Sequence, residues 1–439
     1  MILFAPPTLP ASLEAILAGP ALRGATVSAY VCEMDGTPLY AHNETERMLP
    51  ASNQKLFTGA FALDALGPDS VQQTRFWIKP DRLVIDSPGD PGLTYDQLLA
   101  IKKTLQLDGS KPVYVHQAYR PGTPSSWEWD DLHNRYAAPV TAFTVNRGGV
   151  EVWAEKGLLS LFPAPLGITV TQVSVSGPPH VSYDLATDTA KVTGTLPDVR
   201  TKLDALAVRE PDRQAAKILG TDLFELDQAP SDPPTYVWKG SPLRDLLKEC
   251  FTISDNIMAE NLLLIGAAKS APLQPDPYPQ ARAALKDFLA TKVGIAADDV
   301  HPYDGSGLSR HNLVTARSLA QVLVWESAQP TADIWKGCLD VPGGGTLVGR
   351  LEKSSFRGKT GTLEGVAALS GYLQLADGRP VVASFIINDA IADNQTLRDV
   401  ADSFIRAVEG LKTADFTGST PTASLRSRGS GPLAEFARS

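Results

Sequence analysis

The sequence predicts an α/β (α+β) protein interrupted by a mainly β insert, and three observations lead to that reading. Near the N-terminus a hairpin-like segment is followed directly by a helical pattern. From residue 69 to about 235 the texture changes to short strand-like pieces separated by Gly and Pro. Helical periodicity then returns and ends in two apolar strand runs and a last helix.

Residues 27–39 alternate apolar and polar and are split by Asp35-Gly36, which reads as a β-hairpin. After Pro50, the residues Leu56, Phe57, Ala60, Leu63 and Leu66 stand at helical spacing, and Gly67 stops the run. Ser52 therefore opens a helix. Strands are expected in the insert at 82–85, 113–115, 143–145, 150–154, 168–175 and 191–195, with helices at 95–105 and 211–219. The Pro-rich stretch 229–234 serves as an exit linker. Helices follow at 243–250, 257–265, 281–290 and 316–325, strands at 367–375 and 380–388, and a helix at 395–409. Residues 412–439, rich in Ser, Thr, Gly, Ala and Arg, read as a disordered tail. The two ends share one texture and the middle another, so one domain is interrupted by others. The division expected is 1–68 and 236–411 for the outer domain and 69–235 for the insert.

At 439 residues the chain exceeds one ordinary domain. Its 43% apolar and 20% charged residues match globular usage. A net charge of −9 without a Lys/Arg stripe argues against nucleic-acid binding. Cys32, Cys250 and Cys338 form no CxxC pair and suggest no disulfide framework. The scattered histidines offer no ligand spacing, so neither a metal nor a cofactor is expected. No stretch approaches the ~20 apolar residues of a membrane span, and the first residues, with early Pro6 and Pro7 and no basic cluster, show no clear signal peptide.

Three short motifs occur once each and in order: Ser52-Asn53-Gln54-Lys55, Ser254-Asp255-Asn256 and Lys359-Thr360-Gly361. A serine hydroxyl is a weak nucleophile until a base takes its proton. Residues three apart share a helix face, so Lys55 can reach Ser52. Taken alone, the pair reads equally well as a helix-start cap with a solvated lysine one turn on. To act as base, Lys55 must be neutral, against an ordinary lysine pKa of about 10.4. Burial favours the neutral amine, and so does a second cation, for which Lys359 is the candidate. Ser254 can relay a proton between Lys55 and a leaving amine, while Asn256 can bind substrate backbone and help hold Lys55. Gly361 keeps an edge strand clear for substrate. Lys359, Thr360 and Thr362 form a carboxylate-binding set. The amides of Ser52 and Thr362 form an oxyanion hole.

The same three motifs recur together in class A β-lactamases and penicillin-binding proteins. The sequence resembles one branch of that group, the class C low-molecular-mass penicillin-binding proteins, D-alanyl-D-alanine carboxypeptidase/endopeptidases of peptidase family S13. Further stretches carry the likeness: Pro50 to Lys55, Gly89-Asp90-Pro91-Gly92-Leu93-Thr94, Trp127-Glu128-Trp129-Asp130-Asp131, the run from Tyr303 to Arg310, and Gly345-Thr346-Leu347. The long interval between Lys55 and Ser254 is the family's hallmark and sets the chain apart from class A β-lactamases, whose Glu-bearing deacylation loop has no match here.

The resemblance implies a penicillin-binding/serine β-lactamase-like catalytic domain, an antiparallel sheet flanked by helices, with two smaller domains inserted. The second would span about 69–147 and 200–235, and the third about 148–199. It implies Ser52, Lys55, Ser254 and Asn256 as catalytic residues and Lys359, Thr360, Gly361 and Thr362 as substrate-binding residues. The expected substrate is a peptidoglycan stem peptide ending in D-Ala-D-Ala, with β-lactam antibiotics as covalent inhibitors and the cell envelope as the site of action. Two alternatives stay in view. One is a serine β-lactamase or esterase on the same scaffold; the other is a non-catalytic cell-wall-binding protein.

Overall fold

The computed structural model describes residues 10–163 and 167–416. The first seven residues and most of the expected disordered tail lie outside them. Within the tail, Thr413–Phe416 form a short helical turn that buries Phe416.

The chain starts with helix α1 (Ala11–Leu17) and the expected hairpin, β1 (Thr26–Glu33) and β2 (Pro38–His42). A 3-10 turn over Ala51–Asn53 leads into α2 (Gln54–Leu66), which ends at Gly67 with φ 80°. The insert follows, with β3 (Val71–Ile78), β4 (Leu83–Ser87), α3 (Tyr95–Thr104) and β5 (Val113–Gln117). Six further strands are β6 (Gly149–Glu155), β7 (Leu158–Phe162), β8 (Thr169–Val173), β9 (His180–Asp184), β10 (Thr189–Thr193) and β11 (Thr201–Ala207). Then come α4 (Pro211–Leu219), β12 (Leu223–Glu225) and β13 (Tyr236–Pro242). The outer unit resumes with α5 (Leu243–Thr252), α6 (Asn256–Ala268) and α7 (Tyr278–Phe288). A two-strand ribbon, β14 (Val300–His301) with β15 (Leu313–Val314), precedes α8 (Ala316–Ser327) and α9 (Ala332–Cys338). The last elements are β16 (Arg357–Leu363), β17 (Val366–Gln374), β18 (Pro380–Asn388) and α10 (Asn394–Glu409).

The outer unit is built on one antiparallel sheet in the order β16-β17-β18-β1-β2. Successive side chains on β18 alternate between two cores. Val381, Ala383, Phe385 and Ile387 join α1 and α10, while Val382 and Ile386 join α2, α6 and α8. Both faces are therefore apolar, which is why 380–388 reads as an unbroken hydrophobic run. Phe385 stacks on Phe404 of α10 at 4.4 Å between ring centroids. Helices α2 and α6 are buried on nearly every face, as befits helices between the sheet and the outer helical layer. Among the described residues no helix is long and apolar enough to cross a membrane.

In the insert, a mixed sheet β12-β5-β4-β3-β13 contains the parallel pairs β4–β5 and β5–β12. A parallel pair needs a crossover, and α3 supplies the one from β4 to β5. The two helices expected at 95–105 and 211–219 are α3 and α4, and both contribute to this sheet's core. Two three-stranded sheets, β11-β6-β7 and β8-β10-β9, enclose a small core of Val150, Val152, Ile168, Ala190, Val192, Leu206 and Val208.

Three details differ from expectation. Residues 143–145 form no strand: the Phe143 N–H donates to the Gln117 side chain and the Ala142 N–H to the Tyr119 carbonyl, so no ladder can form. Strand β11 pairs with β6, which puts 201–207 with the third unit rather than the second. Strand β13 pairs with β3, which carries the second unit past 235. We therefore propose a second unit of 69–148 with 209–242, and a third of 149–208.

Candidate active site

The three motifs meet at the edge of the central sheet. Ser52 lies in the turn that starts α2, so Lys55 falls on the same side one turn later. The Lys55 side chain is 0% exposed. Its Nζ lies 2.9 Å from Ser52 Oγ, 2.7 Å from Asn256 Oδ1 and 2.8 Å from the Ser306 carbonyl oxygen. A neutral amine has two N–H groups and one lone pair. The amide and carbonyl oxygens can only accept, so they use both N–H groups and leave the lone pair for the Ser52 hydroxyl.

Burial pushes the Lys55 amine below its ordinary range, against the opposing pull of Cys250, Asp304, Asp255 and Glu260. Of the two influences expected, burial and the Lys359 charge, burial is the one that acts on Lys55. Lys359 is itself pushed down to about 7, first by burial and then by Lys55. Its Nζ donates to Ser254 Oγ and to the Thr360 carbonyl, both at 3.0 Å. Ser254 thus contacts Lys359, a different amine from that of Lys55, with which a relay was expected.

Asn256 opens α6, which Asp255 caps by accepting the Met258 N–H at 2.9 Å. The Asn256 amide nitrogen donates to the Tyr136 carbonyl at 3.0 Å, so one of its two N–H groups is already engaged. The carboxylate-binding expectation also changes. Thr346 donates to Asp340 at 2.7 Å, so the hydroxyl proton of Thr360 goes to Thr346 at 2.8 Å and away from the cleft. Thr362, half-buried two residues further along β16, keeps no such chain.

β16 is an edge strand, and at Gly361 it presses on the turn that carries Ser52. A Cβ there would sit 2.7 Å from the Pro50 carbonyl and 3.1 Å from the Ser52 nitrogen. On the opposite side, a Cβ at Gly307 would meet the Ala51 carbonyl at 1.8 Å. Glycine at these two positions lets three backbone segments converge around Ser52. Ala51 and Ser254, neither of them glycine, hold left-handed backbones with φ 46° and 54°. Such conformations cost about 1–3 kcal/mol each and persist only where surrounding contacts fix them.

Residues outside the expected set complete the site. The Ser306 carbonyl holds Lys55, while the Ser306 N–H donates to Glu260 at 2.8 Å and the Gly305 N–H to Glu260 at 3.0 Å. Burial, then Asp304, pushes the Glu260 carboxyl up to about 8. Asp304 accepts from the Gly307 and Ser309 N–H groups at 2.7 Å and from the Trp127 indole at 3.0 Å. The stretch 127–131 stood out in the sequence as likeness, and 304–310 as likeness or a turn chosen for its backbone conformation. Their contribution runs largely through backbone and buried carboxylates. Cys250, beside Lys55, is held as a thiol because burial pushes it up to about 12.

The model of the D-Ala-D-Ala carboxypeptidase 3 (S13) family matches residues 9–409. A D-alanyl-D-alanine carboxypeptidase of Actinomadura sp. (strain R39) is 28% identical over 86% of this chain and 80% of its own length. The D-alanyl-D-alanine carboxypeptidase DacB of Haemophilus influenzae is 26% identical over 90% and 86% respectively. The crystal structure of penicillin binding protein 4 (dacB) from Haemophilus influenzae superposes with a TM-score of 0.73 at 23% identity, covering 91% of this chain and 98% of that one.

Proposed function

Because the chain belongs to the D-Ala-D-Ala carboxypeptidase (S13) family and is a serine D-Ala-D-Ala carboxypeptidase, we propose that Ser52 is its nucleophile and Lys55 the base that activates it. The observation that supports this most is the buried Lys55 amine, whose Nζ lies within hydrogen-bond distance of Ser52 Oγ, Asn256 Oδ1 and the Ser306 carbonyl oxygen.

In this reading Ser52 Oγ attacks the carbonyl carbon of the penultimate D-Ala, and its proton passes to Lys55 Nζ. The oxyanion is held by the amides of Ser52 and Thr362. The terminal carboxylate binds near Lys359 and Thr362. A carboxylate there favours the ammonium form of Lys359, which otherwise titrates near neutrality. Lys359 then supplies Ser254, and Ser254 protonates the leaving amine as the C–N bond breaks. In deacylation a water attacks the ester, its proton returns through Ser254 to Lys359, and Lys55 gives its proton back to Ser52. Protons balance over the cycle.

The substrate is read as a peptidoglycan stem peptide, and the same step releases either terminal D-Ala or a cross-linked amine. That substrate places the enzyme outside the cytoplasmic membrane. β-lactams are read as covalent inhibitors that acylate Ser52; the penicillin binding protein 4 from Haemophilus influenzae has been solved with a β-lactam. The test is a fluorescent penicillin followed by peptide mapping. A stable label on Ser52, absent in Ser52→Ala together with turnover of a D-Ala-D-Ala-terminated peptide, is expected. Label elsewhere, or rapid drug turnover, would overturn the reading, the latter in favour of a β-lactamase.

A further inference from the structure

The Ser254-Asp255-Asn256 segment belongs to the outer unit, yet what fixes it comes from the insert. Asp255 is buried, and its Oδ2 accepts from Arg135 Nη2 at 2.8 Å and lies 3.5 Å from Arg147 Nε. Arg147 also bonds Glu249 of α5 at 2.7 Å. The next residue, Tyr136, offers the carbonyl that fixes the Asn256 amide, so that the amide oxygen faces Lys55. Consecutive residues of the insert, Arg135 and Tyr136, thus hold the two residues that follow the left-handed Ser254. The third unit has made room for this. A Cβ at Gly149 would fall 2.2 Å from Arg135 Cγ and 2.4 Å from Arg135 Cδ. Gly149 has an ordinary extended backbone, φ −117° and ψ 151°, so conformation alone does not call for glycine there. What glycine provides is the passage for the Arg135 stem.

We propose that Arg135 is a positioning residue for acyl transfer: the insert uses it to hold Asp255 and thereby set Ser254 and Asn256 against the two lysines. This rests on the assignment of Ser52 and Lys55 above. Side chains fixed by a charge-assisted pair keep the reactive geometry, and a displacement of about 1 Å can cost about 100-fold in rate.

The test compares the full chain with Arg135→Met, Arg135→Lys and Gly149→Ala, on a D-Ala-D-Ala-terminated peptide and on thermal unfolding. Arg135→Met is expected to lower kcat about 100-fold with KM little changed, and Arg135→Lys to recover part of the loss. Gly149→Ala, remote from the reacting atoms, is expected to lower kcat in the same sense by displacing the Arg135 stem. Folded variants with unchanged kcat, or an equal loss in Arg135→Lys and Arg135→Met, would overturn the proposal. If Arg135→Met does not fold, Gly149→Ala decides by the same criterion. Failure of the underlying assignment shows separately, as a wild-type protein whose turnover survives Ser52→Ala.

Discussion

Asn256 Oδ1 stands 2.7 Å from Lys55 Nζ, the shortest of the three contacts that the amine makes. This amide oxygen helps keep the lysine lone pair on Ser52 and brings no charge of its own. Replacing it by a carboxylate in Asn256→Asp would stabilise the Lys55 ammonium. The acid limb of the acylation rate is then expected to move to higher pH, read from penicillin labelling rates across pH. A rate fall without that displacement would argue against Lys55 as the base.

Lys359 predicts a second pH effect. Its amine is lowered to about 7 in the folded protein, against an unfolded value near 10.5. Between those values the unfolded chain binds more protons, so this group makes stability rise with pH over that window. Lys359→Met is expected to flatten the rise in unfolding midpoint between pH 7 and about 10, measured by denaturant titration.

Glu326 acts in the opposite sense. It is buried in α8, neither carboxyl oxygen has a hydrogen-bond partner, and burial pushes it up to about 8. The folded state then binds more protons from about 4.5 to 8, and stability falls with pH there. Glu326→Gln is expected to stabilise the protein at pH 8 relative to pH 5, by about 1–3 kcal/mol in the scale of an unpaired buried polar group. Parallel denaturation curves at the two pH values would decide it.

Gly361→Ala tests the close approach of β16 to the nucleophile turn. The added methyl collides with backbone at Pro50 and Ser52 rather than with a flexible side chain. The expected result is loss of kcat of about 100-fold, the scale of an ångström misplacement, with the fold retained by circular dichroism.

Trp127→Phe removes the indole donor to the buried Asp304 carboxylate. The same carboxyl oxygen keeps the Ser309 N–H, so the loss is that of one hydrogen bond, about 1 kcal/mol of stability. Turnover should fall as well, because Asp304 organises the loop whose Ser306 carbonyl holds Lys55.

These residues also show how far the sequence could be read. Ser52, Lys55, Ser254, Asn256 and Lys359 were legible because their side-chain chemistry and order admit few alternatives, and the structure brings them together. The carbonyls of Ser306 and Tyr136 were not legible, since any residue can supply a carbonyl. Glu260 left a usable sign, a lone acid in a helix that is otherwise apolar apart from Asn256 and Asn261. The expected helices and the two apolar strands after residue 242 follow their hydrophobic pattern closely, because each buries a broad apolar face. Helix α9 and strands β14 and β15 were not anticipated. Strand β11 was missed for the converse reason: Thr201, Lys202 and Asp204 give it a polar start, and only pairing with β6 makes it a strand.

The central sheet joins strands from opposite ends of the chain, Thr26 lying beside Asn388 and Glu33 beside Val381. Strand β1 leaves the ribosome early and waits for β18 until almost the whole polypeptide has been made. The insert, all of whose strands precede β18, can fold in the meantime. The central sheet can therefore be completed only after β18 has been made. Only when the C-terminal strands have been made can Lys359 meet Ser254.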